Sequence, residues 1–237
     1  MTHRLAFLSV LFCAIAVSAS ADKKDKFVVN TRFSHDAVVY LNRGTEQLEK
    51  GNTQAARQNY EAAIKVDPKI WPAYLNLAQI LAHEGKWEQA LQDCNIAMKL
   101  RPGFFRTSIL RANVNQHLGR DKDSLSDLNL VISLHADDET DALALSQRAW
   151  LHVLSANPAV HDPKAALADA QLSCRLNHWR KANYIDALAG AEAETGDFED
   201  AVRYEEQAIK SGKLSDEELK GAQSRLARYS SHERAPR

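Results

Sequence analysis

One stretch of this chain, Trp71 to Pro102, returns at an interval of 34 residues, and a repeat of that length restricts the fold more than any other feature. The stretch holds two amphipathic segments of helical length. Tyr74, Leu77, Ala78 and Leu81 line the first, and Ala90, Leu91, Cys94, Ala97 and Met98 line the second, at the i, i+3, i+4, i+7 spacing of a helix face. Gly85 separates them, as a residue able to take the left-handed conformation that ends a helix, and Pro102 stops the second. One repeat earlier, Gly51, Ala56, Tyr60, Ala63 and Pro68 align with Gly85, Ala90, Cys94, Ala97 and Pro102. One repeat later the register falls on Ala112, Gly119, Leu125 and Leu128. A single hairpin of this kind cannot bury its apolar face alone, so such units stack on one another.

The period, the two helices per unit, the small residues Gly44, Ala78 and Ala112, and the Tyr60, Ala63, Pro68 ending resemble the tetratricopeptide (TPR) repeat family. The resemblance implies an all-α fold, a right-handed α-solenoid of about five helical hairpins with a C-terminal capping helix. Residues Gln147 to Tyr229 also resemble exported TPR arrays of planctomycete-type bacteria, through RAWLHVLSANPAVHDPKAALADAQLSCRLNHW and IDALAGAEAETGDFEDAVRYEEQAI.

The units are expected at 35–68, 69–102, 103–136, 139–177 and 181–211, with a capping helix at 215–229 and a polar tail at 231–237. Ser34 is placed to cap the first helix. Unit three is degenerate, with Arg111, Asn115 and Ser124 where unit two has Leu77, Leu81 and Ala90. Unit four carries an inserted loop, Ala156 to His161, after which Asp162 and Pro163 form an acidic cap with proline at the first helical position. Asp137 or Asp138 is expected to cap the helix before that loop. Gly212 ends the fifth unit, and Ser215 with Glu218 has the spacing of a capping box.

Residues 1–21 differ from the rest. Arg4 is followed by an apolar run from Leu5 to Val17 of about 13 residues, too short to span a bilayer as a helix, and then by the small-x-small Ala19, Ser20, Ala21. The expectation is a cleaved secretory signal, a linker at 22–34, and a mature protein that is periplasmic or secreted without stable membrane insertion. Net charge is −1, with both signs spread over the helices, and no basic footprint for nucleic acid appears. Cys94 and Cys174 read as buried small hydrophobes two repeats apart, too distant for a disulfide.

The resemblance places partner binding on the concave surface made by the first helix of each unit. In that register lie Leu41, Asn42 and Thr45; Asn76, Gln79 and His83; Arg106, Asn113 and His117; and Gln147, Trp150 and Leu154. Asn42 and Asn76 are equivalent, one repeat apart, and an amide both donates to and accepts from a peptide backbone. A TPR subclass clamps a terminal carboxylate with lysines, asparagines and an arginine. Here only Asn76 and Arg106 fit that set, and Leu41 and Thr45 stand at two of its other places. His83 and His117 repeat as well, but a zinc site needs three or four ligands. Trp71 and Trp87 read as packing residues, Trp179 as a wedge between repeats.

No phosphate loop, nucleophile elbow or metal motif is present in the sequence, and no cofactor is implied. The expected function is a non-catalytic, exported adaptor that binds a protein or peptide segment in the groove. The alternatives are an assembly module that self-associates, with homo-oligomers as its mark, and an enzyme with a site in the 156–161 insert.

Overall fold

The computed structural model describes residues 33–235, and the expected leader lies outside them. Eleven α-helices and no strand occur among the described residues. They run α1 His35–Glu49, α2 Thr53–Val66, α3 Trp71–His83, α4 Trp87–Leu100, α5 Phe105–His117, α6 Asp121–Leu134, α7 Asp138–Leu154, α8 Pro163–Leu176, α9 Ala182–Thr195, α10 Phe198–Lys210 and α11 Asp216–Ser230. Among these helices none is long and apolar enough to cross a membrane. The chain divides into two compact units, with the division between Val114 and Asn115, inside α5.

In the unit that ends at Val114, α1 packs on α2, α2 on α3, and α3 on α4. Alanine makes these approaches close: Ala56, Ala63, Ala90 and Ala97 are fully buried at the positions the repeat assigns to the second helices. Gly44 takes this further, because a Cβ there would stand 2.5 Å from the Tyr60 ring. Tyr60 itself is fully buried, and its hydroxyl lies 3.4 Å from Thr45 Oγ1. Gly85 closes the α3–α4 turn at φ +72°, a backbone conformation that an L side chain would strain.

Ser34 occupies the capping position of α1 without the expected side-chain bond. Its backbone N–H donates instead to Asp67 Oδ2 at 3.0 Å, so the start of α1 is held by the end of the first hairpin. None of the other N-cap residues of this unit, Asn52, Ile70 and Lys86, supplies a side-chain cap.

In the unit that begins at Asn115, α6 packs on α7, α7 on α8 and α9, α9 on α10, and α11 on both α9 and α10. Four helix starts here, but not those of α6 and α9, are capped by side chains. Asp137 accepts from the N–H of Thr140, Asp162 from those of Lys164 and Ala165, and Asp197 from that of Asp200. Ser215 and Glu218 form the reciprocal capping box. The 156–161 insert is tied down rather than loose. His152 Nδ1 donates to Val160 O at 2.5 Å, His161 Nδ1 donates to His152 O at 2.8 Å, and Ser155 Oγ bonds Asp121 Oδ2.

Gly190 repeats the device of Gly44, since a Cβ on it would come within 2.7 Å of the Trp150 ring. The degenerate third unit uses its polar residues as core: Asn115 and Ser124 are both buried. Cys94 and Cys174 are buried and form no disulfide.

Candidate functional site

The expected groove residues separate into three groups. Thr45 and Asn76 are buried, contrary to the surface role assigned to them. Thr45 donates to Leu41 O at 3.2 Å, as hydroxyls do in helix interiors, and Asn76 hydrogen-bonds the Tyr60 hydroxyl across the α2–α3 contact. Both serve the packing of Tyr60 and are closed to a partner; Leu41 lies beneath them, fully buried. Asn42, at the equivalent place on α1, is exposed, because no described helix precedes α1 to cover it as α2 covers α3.

The second group is open. His83 is exposed, and Arg106 and His117 are half-buried. Among the described residues no group of three or more histidines, cysteines or carboxylates is placed to hold a metal ion.

The third group holds the most informative chemistry. Gln79 on α3 and Asn113 on α5 are half-buried, and each has one amide atom shut off from solvent without a hydrogen-bond partner: Nε2 of Gln79 and Oδ1 of Asn113. They stand one repeat apart. In the other unit Gln147 on α7 also has an enclosed atom without a hydrogen-bond partner, Oε1, but about three residues added before α7 put Trp150, not Gln147, at the place of Gln79 and Asn113. The enclosed atom of each is out of a partner's reach, and it is the remaining, solvent-facing part of the half-buried side chain that a partner could meet. The amides carry donor and acceptor together, which suits an extended peptide.

Trp150 does not join them. It is buried, with Gly190 on one side and the Arg225 guanidinium 5.2 Å from its ring centroid. Around Arg225 the structure assembles a charge cluster that sequence spacing did not disclose. Its guanidinium bonds Asp186 on α9 and Glu205 on α10, the latter at 3.2 Å. Burial pushes the Glu205 carboxyl well above the usual carboxylate range, and the neighbouring Asp186 carboxylate adds to the effect. Burial by itself would lower the Arg225 guanidinium, but Asp186 and Glu205 outweigh it and raise it. The cluster fastens α11 to α9 and α10, a packing role.

Residues 41–103 match the tetratricopeptide repeat family. The chain has a TPR fold. Three solved structures illustrate it. MamA from Desulfovibrio magneticus superposes with a TM-score of 0.60 at 17% identity, over 78% of this chain and 99% of that one. A thermophilic TPR protein of Thermus thermophilus gives 0.62 at 18% identity, over 83% and 98%. YrrB, described as a TPR protein with an unusual peptide-binding site, gives 0.54 at 16% identity, over 79% and 92%. No curated protein matches the sequence.

Within the TPR fold, the shared register of Gln79 and Asn113 was readable from the 34-residue period. What the period could not show is that one polar atom of each is enclosed and unbonded, which depends on the neighbouring helices.

Proposed function

We propose that this protein is a non-catalytic interaction module that binds an extended segment of a partner protein along its first helices, in an exported setting. The observation that carries this reading is the pair of half-buried amides Gln79 and Asn113, one repeat apart on the first helices of one unit. The TPR fold supports it, since one structural neighbour is described as having a peptide-binding site. Residues 1–21 have the make-up of a secretory leader, which supports the export part of the reading.

The decisive experiment is affinity capture from an envelope extract with the chain from Asp22, beside the Gln79→Leu, Asn113→Leu double variant. Leucine keeps the helices and removes the hydrogen-bonding atoms. A partner held by the parent chain and lost by the variant supports the reading; equal capture by both removes the amides from it. Export is tested separately by sequencing the N-terminus of the protein recovered from cells, with cleavage after Ala21 expected.

A second reading, self-association, has one observation in its favour: Leu130 and Leu134, four residues apart on α6, are 47% and 50% exposed. Light scattering on the purified chain separates the two. A dimer that Leu130→Lys, Leu134→Lys converts to a monomer would favour assembly, and a monomer throughout leaves the groove reading in place.

A further inference from the structure

The turn between α8 and α9 departs from its counterparts. Two consecutive non-glycine residues, His178 and Trp179, have φ of 53° and 59°, a region that bulky side chains enter at a cost. The turn is nonetheless fully bonded. Trp179 N–H donates to Cys174 O at 2.9 Å, and Asn177 Oδ1 accepts from the N–H groups of Arg180 and Lys181 at 3.1 and 2.7 Å. The result is that Trp179 does not wedge between repeats as the sequence suggested. It stands 42% exposed, its ring stacked on Tyr204 of α10 with centroids 5.9 Å apart and planes 23° from parallel.

Beside this stack lies an open cleft of about 480 Å³, with Ala182 and Ile185 among its lining. Its charged lining is one-sided: Arg180, Arg203, Lys210 and Lys213 against Glu206. Glu206 is already engaged by Lys210 at 2.7 Å, and Arg203 lies over the Tyr204 ring at 4.7 Å while it also pairs with Asp200. Lys213 Nζ donates to the Arg180 carbonyl at 3.1 Å, which draws two cationic residues to one rim. An exposed aromatic platform, apolar side chains and a surplus of cations thus share one cleft.

We infer that this cleft, at the open end of the α9–α10 hairpin, docks an acidic peptide segment of a partner protein whose carboxylates flank an apolar side chain. Charge complementarity selects the acidic residues, and the Trp179–Tyr204 stack takes the apolar one. A long polyanion such as nucleic acid fits less well, because the chain as a whole carries a charge of −1 and gives no long-range attraction for one. The site is separate from the amide register, so it stands or falls independently of it.

The test is calorimetric titration of the full chain with a synthetic peptide of glutamates flanking one Leu-Phe pair, with the lysine counterpart as control. Binding of the glutamate peptide alone is expected, at least tenfold weaker in 0.5 M than in 0.05 M salt. Arg180→Glu with Lys213→Glu is expected to lower affinity at least tenfold while circular dichroism stays unchanged, and Trp179→Ala to lower it several-fold at any salt. Equal binding of both peptides, no binding, or binding indifferent to these substitutions would overturn the inference. So would adsorption to vesicles containing phosphatidylserine in the absence of peptide binding, which would make the cleft a lipid contact.

Discussion

The two compact units are built from the same hairpin but held together by different forces. Up to Val114, the buried set is apolar apart from Thr45, Asn76, Thr107 and Ser108, and no carboxylate is buried among the described residues. From Asn115 onward, Asp121, Asp169, Asp186, Glu194 and Glu205 are all buried and paired. Arg148 shows how such pairing holds the second unit. It grips both oxygens of Asp169 at 2.7 and 2.8 Å and bonds Asn129 at 2.6 Å, so one α7 side chain ties α8 and α6. Side-chain caps are absent from α1 to α4 and occur in the second unit, in α7, α8, α10 and α11, although α6 and α9 there lack them too. A strict repeat lets small and aromatic residues do the packing. Where the repeat degenerates or acquires an insert, polar bonds replace it.

This contrast is most sharply tested at Arg225. Leucine there leaves Asp186 and Glu205 buried without their cation, and the expected loss is about 3–5 kcal/mol. Denaturant unfolding should then show the unit from Asn115 melting ahead of the other, with partial recovery on acidification as Glu205 takes up a proton. Changing Asp186, Glu205 and Arg225 together to leucine should recover much of the loss, and a triple variant as unstable as the single one would break the argument.

The matched glycines come next. Gly190→Ala and Gly44→Ala each force a methyl group onto an aromatic ring, at an expected cost of about 1–3 kcal/mol. Gly190→Ala should be the costlier, because displacing Trp150 also disturbs Arg225. Thermal denaturation of the pair gives the comparison directly.

Asp93 gives the first unit a pH response of its own. Partial burial pushes its carboxyl up to about 6 from an ordinary 3.8, with Arg57 opposing and Glu61 adding to the rise. A raised carboxyl favours folding in its protonated form, so that contribution is complete below about pH 4 and is lost as pH climbs through about 6. Because Asp93 retains some solvent contact, the change is about 1 kcal/mol, and Asp93→Asn should flatten the stability profile over that window.

The smallest effects concern caps. Asp162→Ala should cost about 1 kcal/mol, since two backbone N–H groups lose their acceptor, whereas Ser34→Ala should change stability by less than about 0.5 kcal/mol. A large effect at Ser34 would contradict the contrast in capping.

These expectations also show how far the sequence could be read. Helix positions were legible because their signals are local: Gly85 and Gly212 at turns, Asp162 before Pro163, Ser215 with Glu218. Burial of the alanines and of Cys94 and Cys174 followed from periodicity. The fate of Asn76 did not, because it depends on where the hydroxyl of Tyr60, sixteen residues earlier, comes to rest. Trp179 was misread for a related reason: two left-handed residues turn its side chain outward, and nothing in a helical period marks them. Glu205 stands at the repeat place of buried Tyr60 and Cys94, but Asp186 and Arg225 look like ordinary charges on solvated faces until three helices bring all three together.

The contact between Arg225 and Trp150 has an optical consequence. An indole's emission responds to the charge and water beside it, and this one is buried with a guanidinium over its face. Lifting of α11 would remove that cation and admit water to the ring, so the fluorescence of Trp150 reports the seating of the last helix. With Trp71, Trp87 and Trp179 replaced by phenylalanine, that emission becomes an internal gauge of whether the C-terminal end is closed.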